Sequence, residues 1–353
     1  MGIYGRIPNR SPGRESALKG LVWAARVFWS VCLCCCLCAQ CMATDYEDSP
    51  RPIPILLIRS SNNAFYDPTQ KGFLQSLKRQ EQMLNISAKV NIISLSGSQD
   101  TDQKMIEQAL NQHPQLIVTL GTDATIETSA VHPDVPVLFT LVLNPVALGV
   151  VKSLDAPGTN FSGTTLLVSP GKQLEALLQV DPQVSRVGVI YTQGDPVSQA
   201  FLEAAQSDAQ QLHITLVTIA VKSGDPPSTA LQSLDGKVDA LWTIADSASS
   251  GPQALQATLA YAHAHNLPVL GLSGATVHEG ALVALFPDLE DEGALTAEMA
   301  GYLLSGSQKI EQLRVRGPRK VLLCINLDVA RALKIKVPND VLHLADEVVD
   351  SER

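Results

Sequence analysis

Short apolar segments alternate with amphipathic segments from residue 52 onward, and this alternation restricts the fold more than any other feature. In residues 68–84, for example, Phe73, Leu74 and Leu77 recur at helical spacing. The apolar segments are too uniformly apolar for strands with one face in water, so we expect a parallel sheet covered on both faces. Strands joined through helices predict an α/β fold. The strands predicted in the first half are 52–60, 90–95, 115–120 and 135–142.

The same order of segments recurs in the second half of the chain. The pair Phe201-Leu202 repeats Phe73-Leu74 at an offset of 128 residues. A regular internal offset indicates a duplicated architecture. We therefore predict two Rossmann-like lobes with parallel sheets and a ligand cleft between them. The strands predicted in the second half lie in 186–195, 214–221, 238–248 and 267–275.

Three segments are candidates for crossings between the two lobes. Residues 155–165 are rich in Gly, Ser and Thr, as expected of a linker, and 280–293 and 313–327 are the other two candidates. Three crossings would let the lobes hinge while keeping their register. The predicted N-terminal lobe is 44–160 plus 283–310, and the predicted C-terminal lobe is 161–282 plus 311–353.

The first 43 residues have the features of an export signal. A basic start precedes the apolar block 27–39, and cleavage after Ala43 would fit the small residues that signal peptidases prefer. A lipid-modified Cys41 and a retained membrane anchor are the alternatives. We expect a periplasmic location. Six of the seven cysteines fall in this segment, so the body, with Cys324 alone, has no disulfide framework; Cys324 itself is predicted to be a core residue.

The remaining chain is acidic. Removing residues 1–43 takes away five basic residues and one glutamate, which leaves 34 acidic and 21 basic residues and a formal charge of −13. Binding to a nucleic-acid backbone needs clustered Lys and Arg, so nucleic acid is excluded as a partner class. We expect a monomer.

Polar residues gather at the carboxyl ends of the predicted strands, where parallel sheets place their ligand crevices. Small hydroxylated, amide and single-carboxylate residues suit recognition of a small polar or zwitterionic molecule, although the same residue types also cap helices. The candidate ligand-binding residues are Ser60, Ser61, Asn62, Phe65, Gly121, Thr122, Asp123, Asn144, Tyr191, Thr192, Asp246, Ser247, Ser273 and Gly274.

Motifs for catalysis, phosphate binding and metal binding are incomplete. The Gly121-Thr122-Asp123 turn lacks the lysine of a Walker loop. The segment 271–275 has the form of a nucleophile elbow around Ser273 but ends in Ala, so an exported serine hydrolase is a remote alternative. The histidines are scattered, with no zinc-protease motif. We expect no metal, no cofactor and no catalysis.

Several stretches together resemble the ABC-transporter substrate-binding proteins whose better-known members bind tryptophan or tyrosine. The resemblance covers roughly residues 52–349. It implies a type I periplasmic-binding fold, two lobes that close on a ligand, and delivery to an ABC permease in the inner membrane. The alternative function is that of a ligand-sensing receptor subunit with the same fold, which would signal to a membrane partner. The stretches are KGFLQSL, LIVTLGTDAT, VPVLFTLVLNPVALGVVKSL, APGTNFSGTT, VSRVGVIY, NLPVLGLSG and INLDVARALKIKVPNDVLHLADEVV.

Two loops depart from that family's pattern. The family commonly has Gly-Thr-Pro-Ala where this chain has Asp123 in third place, and Asp-Pro-Val where this chain has Asn144. The resemblance suggests that Thr122 and the helix start beside it take an anionic group, while Asp123 or Asp246 takes an ammonium group. With only 5% aromatic residues, few rings can stack on an aromatic ligand. A change of ligand relative to the family is therefore open.

Overall fold

The structure is a computed structural model that describes Met1, Gly2, Gly5, 52–222 and 224–352. The predicted export signal, with Cys41 and Ala43, lies outside the described residues. Among the helices that are described, none combines the length and apolarity needed to cross a bilayer.

The first half of the body forms a five-stranded sheet in which every pairing is parallel. The strand order is β2-β1-β3-β4-β5. Strands β3 and β4 are buried along their whole length, as expected for strands covered on both faces. The elements are β1 (Ile53–Arg59), α1 (Asp67–Leu84), β2 (Ala88–Ser94), α2 (Gln99–Leu110), β3 (Leu116–Leu120), α3 (Thr122–Ala130), β4 (Val137–Val142) and β5 (Phe161–Thr165).

The second half supplies all the strands of a seven-stranded sheet. Its elements up to the second crossing are α4 (Pro170–Val180), β6 (Arg186–Thr192), α5 (Pro196–Gln211), β7 (Thr215–Val221), α6 (Pro227–Gln232), β8 (Ala240–Trp242), α7 (Ser247–Ser250), α8 (Pro252–His265), β9 (Val269–Gly271), α9 (Gly274–His278) and β10 (Val283–Pro287). The chain continues through α10 (Leu289–Leu304), β11 (Val321–Asn326), α11 (Leu327–Ala332), α12 (Asn339–Leu344) and β12 (Glu347–Val349).

The strand order of this second sheet is β12-β11-β10-β9-β8-β6-β7. Strand β11 runs antiparallel to β10, and every other pairing is parallel. The antiparallel strand arises because the chain returns from the first lobe before it enters β11. The α/β fold class with two parallel-dominated lobes is thus confirmed.

Sheet membership differs from the predicted lobe boundaries at two strands. Residues 161–165, predicted to open the C-terminal lobe, form β5 and pair with β4 in the first sheet. Residues 283–287, predicted to return to the N-terminal lobe, form β10 and pair with β9 in the second sheet. The first crossing therefore falls after residue 165 and not within 155–165. The later crossings fall near 288 and in 317–320, inside the segments predicted for them.

Helix α10 returns to the first lobe and packs closely on α1. Two glycines make this approach possible: a Cβ on Gly72 would lie 1.9 Å from the Glu290 carbonyl oxygen, and one on Gly293 would lie 1.9 Å from that of Thr69. The Thr69 hydroxyl also donates to the Leu289 carbonyl at 2.9 Å. This contact fixes the start of α10 beside the gap between the two sheets.

Each lobe has its own apolar core. In the second lobe Trp242 is 1% exposed and packs edge-on against Phe201. Cys324 lies in strand β11 and is fully buried, which confirms its assignment to the core. Burial raises the pKa of its thiol to about 12, so this cysteine is an apolar packing residue and not a reactive thiolate.

Candidate ligand-binding site

A cleft of about 1250 Å³ lies between the two lobes, at the carboxyl ends of both sheets. This is where open parallel sheets bind their ligands. The first lobe contributes the start of α3 and the loop after β4. The second lobe contributes the loops after β6, β8 and β9. The predicted residues that line the cleft are Phe65, Thr122, Asp123, Thr192, Asp246, Ser247, Ser273 and Gly274.

The start of α3 is shaped by Gly121 and supported by Ser60. Gly121 has φ +100°, and a Cβ there would lie 2.5 Å from the Ser60 hydroxyl oxygen. That hydroxyl donates to the Leu120 carbonyl at 3.1 Å and accepts from the Ala124 N–H at 2.9 Å. Ser60 and Gly121 therefore build the loop from behind. The first-turn N–H groups of Thr122 and Asp123 have no intrahelical partner and lie at the cleft.

Asp246 ties together the loops of the second lobe. Its carboxylate accepts hydrogen bonds from the Thr192 N–H and hydroxyl, the Ser198 hydroxyl and the Ala248 N–H, at 2.6–3.0 Å. The side chain is only 8% exposed. This bonding corrects the suggestion that Asp246 takes a ligand ammonium directly, because its acceptor sites are already occupied by the protein. Asp246 still places a negative charge behind the cleft wall.

Asp195 joins this network and was missed in the sequence analysis. The Ser198 hydroxyl oxygen lies 2.6 Å from a carboxylate oxygen of Asp195 and 2.6 Å from one of Asp246. One hydroxyl carries one proton, so it cannot fully satisfy both carboxylates. The sequence signal that could have found Asp195 is its position as N-cap of α5, directly after β6.

Asp123 differs from these two acids. It is exposed, it lines the cleft, and among the described residues it has neither a hydrogen-bond nor an ion-pair partner. Of the two acids proposed to receive an ammonium group, Asp123 is the one with free acceptor capacity.

The remaining predicted residues lie outside the cleft lining. The Asn144 side chain accepts from the Ala147 N–H at 3.0 Å and holds the loop after β4. Tyr191 packs against the core of the second lobe. Ser61 and Asn62 follow β1 but do not line the cleft. Asn144 thus has the local capping role that its residue type left open, whereas Tyr191 is a packing residue.

Apolar side chains form much of the cleft wall, and none of them except Phe65 was among the predicted ligand-binding residues. Leu141 is unusual because it has φ +60°, which a branched side chain rarely adopts. It lies in the register shift between Phe139 and Val142, where β4 bulges against β5. A bulge of this kind re-aims a side chain beside a site. The apolar lining residues include Leu141, Leu143, Leu148, Leu166, Val197, Leu272, Phe286, Leu289 and Leu322.

Three further acidic side chains line the cleft, each with a basic partner. Asp288 pairs with Lys320 at 2.6 Å, and Glu290 pairs with Lys71 at 2.9 Å. Glu347 lies 2.6 Å from His278. Burial acts to raise the pKa of Asp288, but Lys320 and the N–H groups that open α10 outweigh it and hold that pKa below its usual value.

Ser273 has a structural role at the start of α9. Its hydroxyl accepts from the Thr276 N–H, and the Thr276 hydroxyl accepts from the Ser273 N–H at 3.1 Å, which completes a capping box. His278 contacts Glu347, and no described histidine or carboxylate hydrogen-bonds to Ser273. The geometry gives no support to the nucleophile-elbow interpretation. Nor do the described residues contain a cluster of three potential metal ligands.

Comparison with known proteins agrees with this architecture. The family described as ABC transporter substrate binding protein matches residues 61–349. A tyrosine-binding protein of Clostridioides difficile is 25% identical over 270 residues, which is 76% of this chain and 77% of that protein.

Two solved structures of substrate-binding proteins are also similar. A ligand-free, open substrate-binding protein with adhesive properties from Clostridium difficile superposes with a TM-score of 0.71 at 26% identity, over 84% of this chain and 99% of that one. A Streptococcus pneumonia ABC domain in complex with L-Trp gives 0.70 at 24% identity, over 84% of this chain and all of that one. The type I periplasmic-binding fold expected from the sequence is confirmed.

Proposed function

The chain belongs to the family of ABC transporter substrate-binding proteins, and on that premise we propose that it is an extracytoplasmic solute receptor of an ABC importer. It binds a small polar or zwitterionic molecule, with an amino acid as the first candidate, and delivers it to a membrane permease. The observation that carries this proposal is the cleft of about 1250 Å³ lined from both lobes. The tyrosine-binding relative and the L-Trp complex support an amino-acid ligand.

The polar end of the ligand would bind at α3. The free N–H groups of Thr122 and Asp123, with the Thr122 hydroxyl, suit an anionic group because a helix start carries partial positive charge. The Asp123 carboxylate suits an ammonium group. Hydrogen bonds to charged groups of this kind contribute about 1.5–3 kcal/mol each.

The second lobe would complete the site by closing on the ligand. The chain crosses between the two sheets near 166–169, near 288 and in 317–320. These three connecting segments would form the hinge. A cleft of this volume is larger than the roughly 300–1,000 Å³ of pockets that enclose small ligands. Closure would therefore bring Thr192, Ser247 and the apolar wall of the second lobe onto a ligand already held at α3.

The test is identification of the bound solute. Protein purified without denaturant is analysed by native mass spectrometry for a retained small molecule, then stripped and titrated calorimetrically with the standard amino acids and with any molecule found. We expect one solute class to bind in the micromolar range or tighter. A stripped, folded protein that binds none of them would contradict the proposal.

A further inference from the structure

The charges around the interlobe cleft are one-sided. Six carboxylates line it, and no lysine or arginine of the described chain does. Among the described lining residues, His278 is the one side chain that can carry a positive charge. The cleft is the candidate ligand-binding site described above, and its acidic lining favours a positively charged ligand. The six acidic residues are Asp123, Asp195, Asp246, Asp288, Glu290 and Glu347.

Three of the six carboxylates have basic partners, and the other three do not. Lys320, Lys71 and His278 pair with Asp288, Glu290 and Glu347 as described above. In the described part of the chain, no cationic group lies within ion-pair distance of Asp123, Asp195 or Asp246. The first of these belongs to the first lobe, and the other two belong to the second.

The unpaired acids of the second lobe lie close together, on either side of one hydroxyl oxygen. Asp195 and Asp246 share the single hydroxyl proton of Ser198. Closing the lobes would bring this pair toward Asp123, and like charges repel more strongly as water is excluded. A positive charge placed between the two walls would remove that repulsion.

The rest of the wall selects for an apolar body. Leu143 and Leu166 face the cleft near the first crossing, and Leu272, Phe286 and Leu322 come from the second lobe. Burying apolar surface against these side chains favours binding. A ligand carboxylate held at the α3 N–H groups would lie beside the unpaired Asp123 carboxylate, and repulsion between the two would offset what those N–H groups contribute.

We propose that the preferred ligand is an organic cation with an apolar body, in which the positive charge lies between Asp123 and the Asp195–Asp246 pair and a carboxylate is dispensable. This inference rests on the proposed function, since it names the ligand class of the same cleft. It departs from a simple amino-acid site in one measurable respect: removing the carboxylate from the ligand strengthens binding.

Matched probe molecules, with and without a carboxylate, test this prediction directly. Full-chain protein, stripped of retained solute, is titrated with leucine, leucinamide, 3-methylbutylamine and 4-methylpentanoate, and with phenylalanine, 2-phenylethylamine and 3-phenylpropanoate. We expect the amines and the amide to bind at least about 10-fold more tightly than the amino acids, and the two acids not to bind. A tenfold ratio corresponds to about 1.4 kcal/mol, which is the expected size of the carboxylate's unfavourable contribution.

The outcomes separate this inference from the proposed function. Amino acids that bind as tightly as their amines, or more tightly, overturn the inference and leave the receptor function standing. Absence of binding by every probe also overturns the inference, while the receptor function then depends on whether another retained or titrated solute binds.

A variant pair identifies the responsible carboxylate. Asp123→Asn should weaken amine binding about 10-fold or more and remove much of its salt dependence, because the contact is charge-assisted and partly exposed. Asp134→Asn is the matched control: it is another exposed acid of the first lobe, outside the cleft lining. It should leave amine affinity within about twofold, as surface substitutions usually do. Equal effects of the two substitutions would overturn the assignment, and thermal unfolding confirms that both variants fold.

Discussion

At the scale of single residues, Glu292 stands out because it is an ionisable side chain in a buried position. It is fully buried in the first turn of α10, and neither carboxylate oxygen has a hydrogen-bond partner. Burial raises its pKa from 4.5 to about 7. It lies beside the hydroxyl cluster of Thr164 and Thr296, close to where the chain crosses between lobes.

The raised pKa predicts how stability depends on pH. Between pH 4.5 and 7 the unfolded chain releases the Glu292 proton and the folded chain keeps it, so unfolding becomes easier as the pH rises. Above pH 7 Glu292 is ionised in both the folded and the unfolded chain, so its effect on the free energy of unfolding no longer changes with pH. Glu292→Gln should therefore stabilise the protein by about 3 kcal/mol at pH 8 and by almost nothing at pH 4, because each unit of pKa shift corresponds to about 1.4 kcal/mol.

Urea unfolding at several pH values measures this difference. Glu311→Gln, a substitution at an exposed glutamate of the same region, is the control and should show no comparable gain. A Glu292→Gln variant whose stability advantage is the same at pH 4 and pH 8 would show that burial does not raise this pKa.

At the scale of elements, the strands of the two cores were predictable, and so were two of the three crossings, but the position of the first crossing was not. Strands such as β3 and β4 are buried on both faces, so their sequences are continuously apolar and easy to recognise. Strand β5 reads FSGTT, which has the composition of a linker. It needs that composition because a Cβ on Gly163 would lie 1.9 Å from the Phe139 carbonyl oxygen of β4. The composition of β5 therefore reflects a tertiary contact, and local composition alone assigns this strand wrongly to a linker.

The same limit applies to the candidate site. The polar residues at strand ends were predictable because parallel strands end at one edge. The apolar wall was not, because Leu166, Phe286 and Leu322 come from segments far apart in sequence and meet only in the folded protein. The role of Asp246 was also inaccessible, since its partners Thr192 and Ser198 lie about 50 residues away.

The contact between α1 and α10 makes a second prediction. Gly293→Ala places a methyl group against the backbone of Thr69, which cannot move without separating the helices, and should cost at least about 2 kcal/mol. Gly301→Ala on the same helix meets only the flexible end of Gln80 and gains helix propensity, so it should change stability by less than about 1 kcal/mol. Chemical unfolding of both variants compares them; similar losses would mean that close backbone approach does not limit this interface.

At the scale of the whole molecule, the proposed binding mode requires two lobes that move relative to each other. The sheets belong to different lobes, and three chain crossings join them. The cleft lies at the carboxyl ends of both sheets, so a ligand held at α3 would contact the second lobe only after closure. Ligand class and closure are thus linked: the contacts that select the ligand are also those that stabilise the closed state.

Small-angle X-ray scattering of the stripped protein, with and without a saturating concentration of a solute shown to bind, tests this claim most directly. We expect the radius of gyration to decrease when the solute is added, and we expect no decrease with a non-binding analogue. An unchanged radius of gyration at full occupancy would contradict closure of the lobes on the ligand.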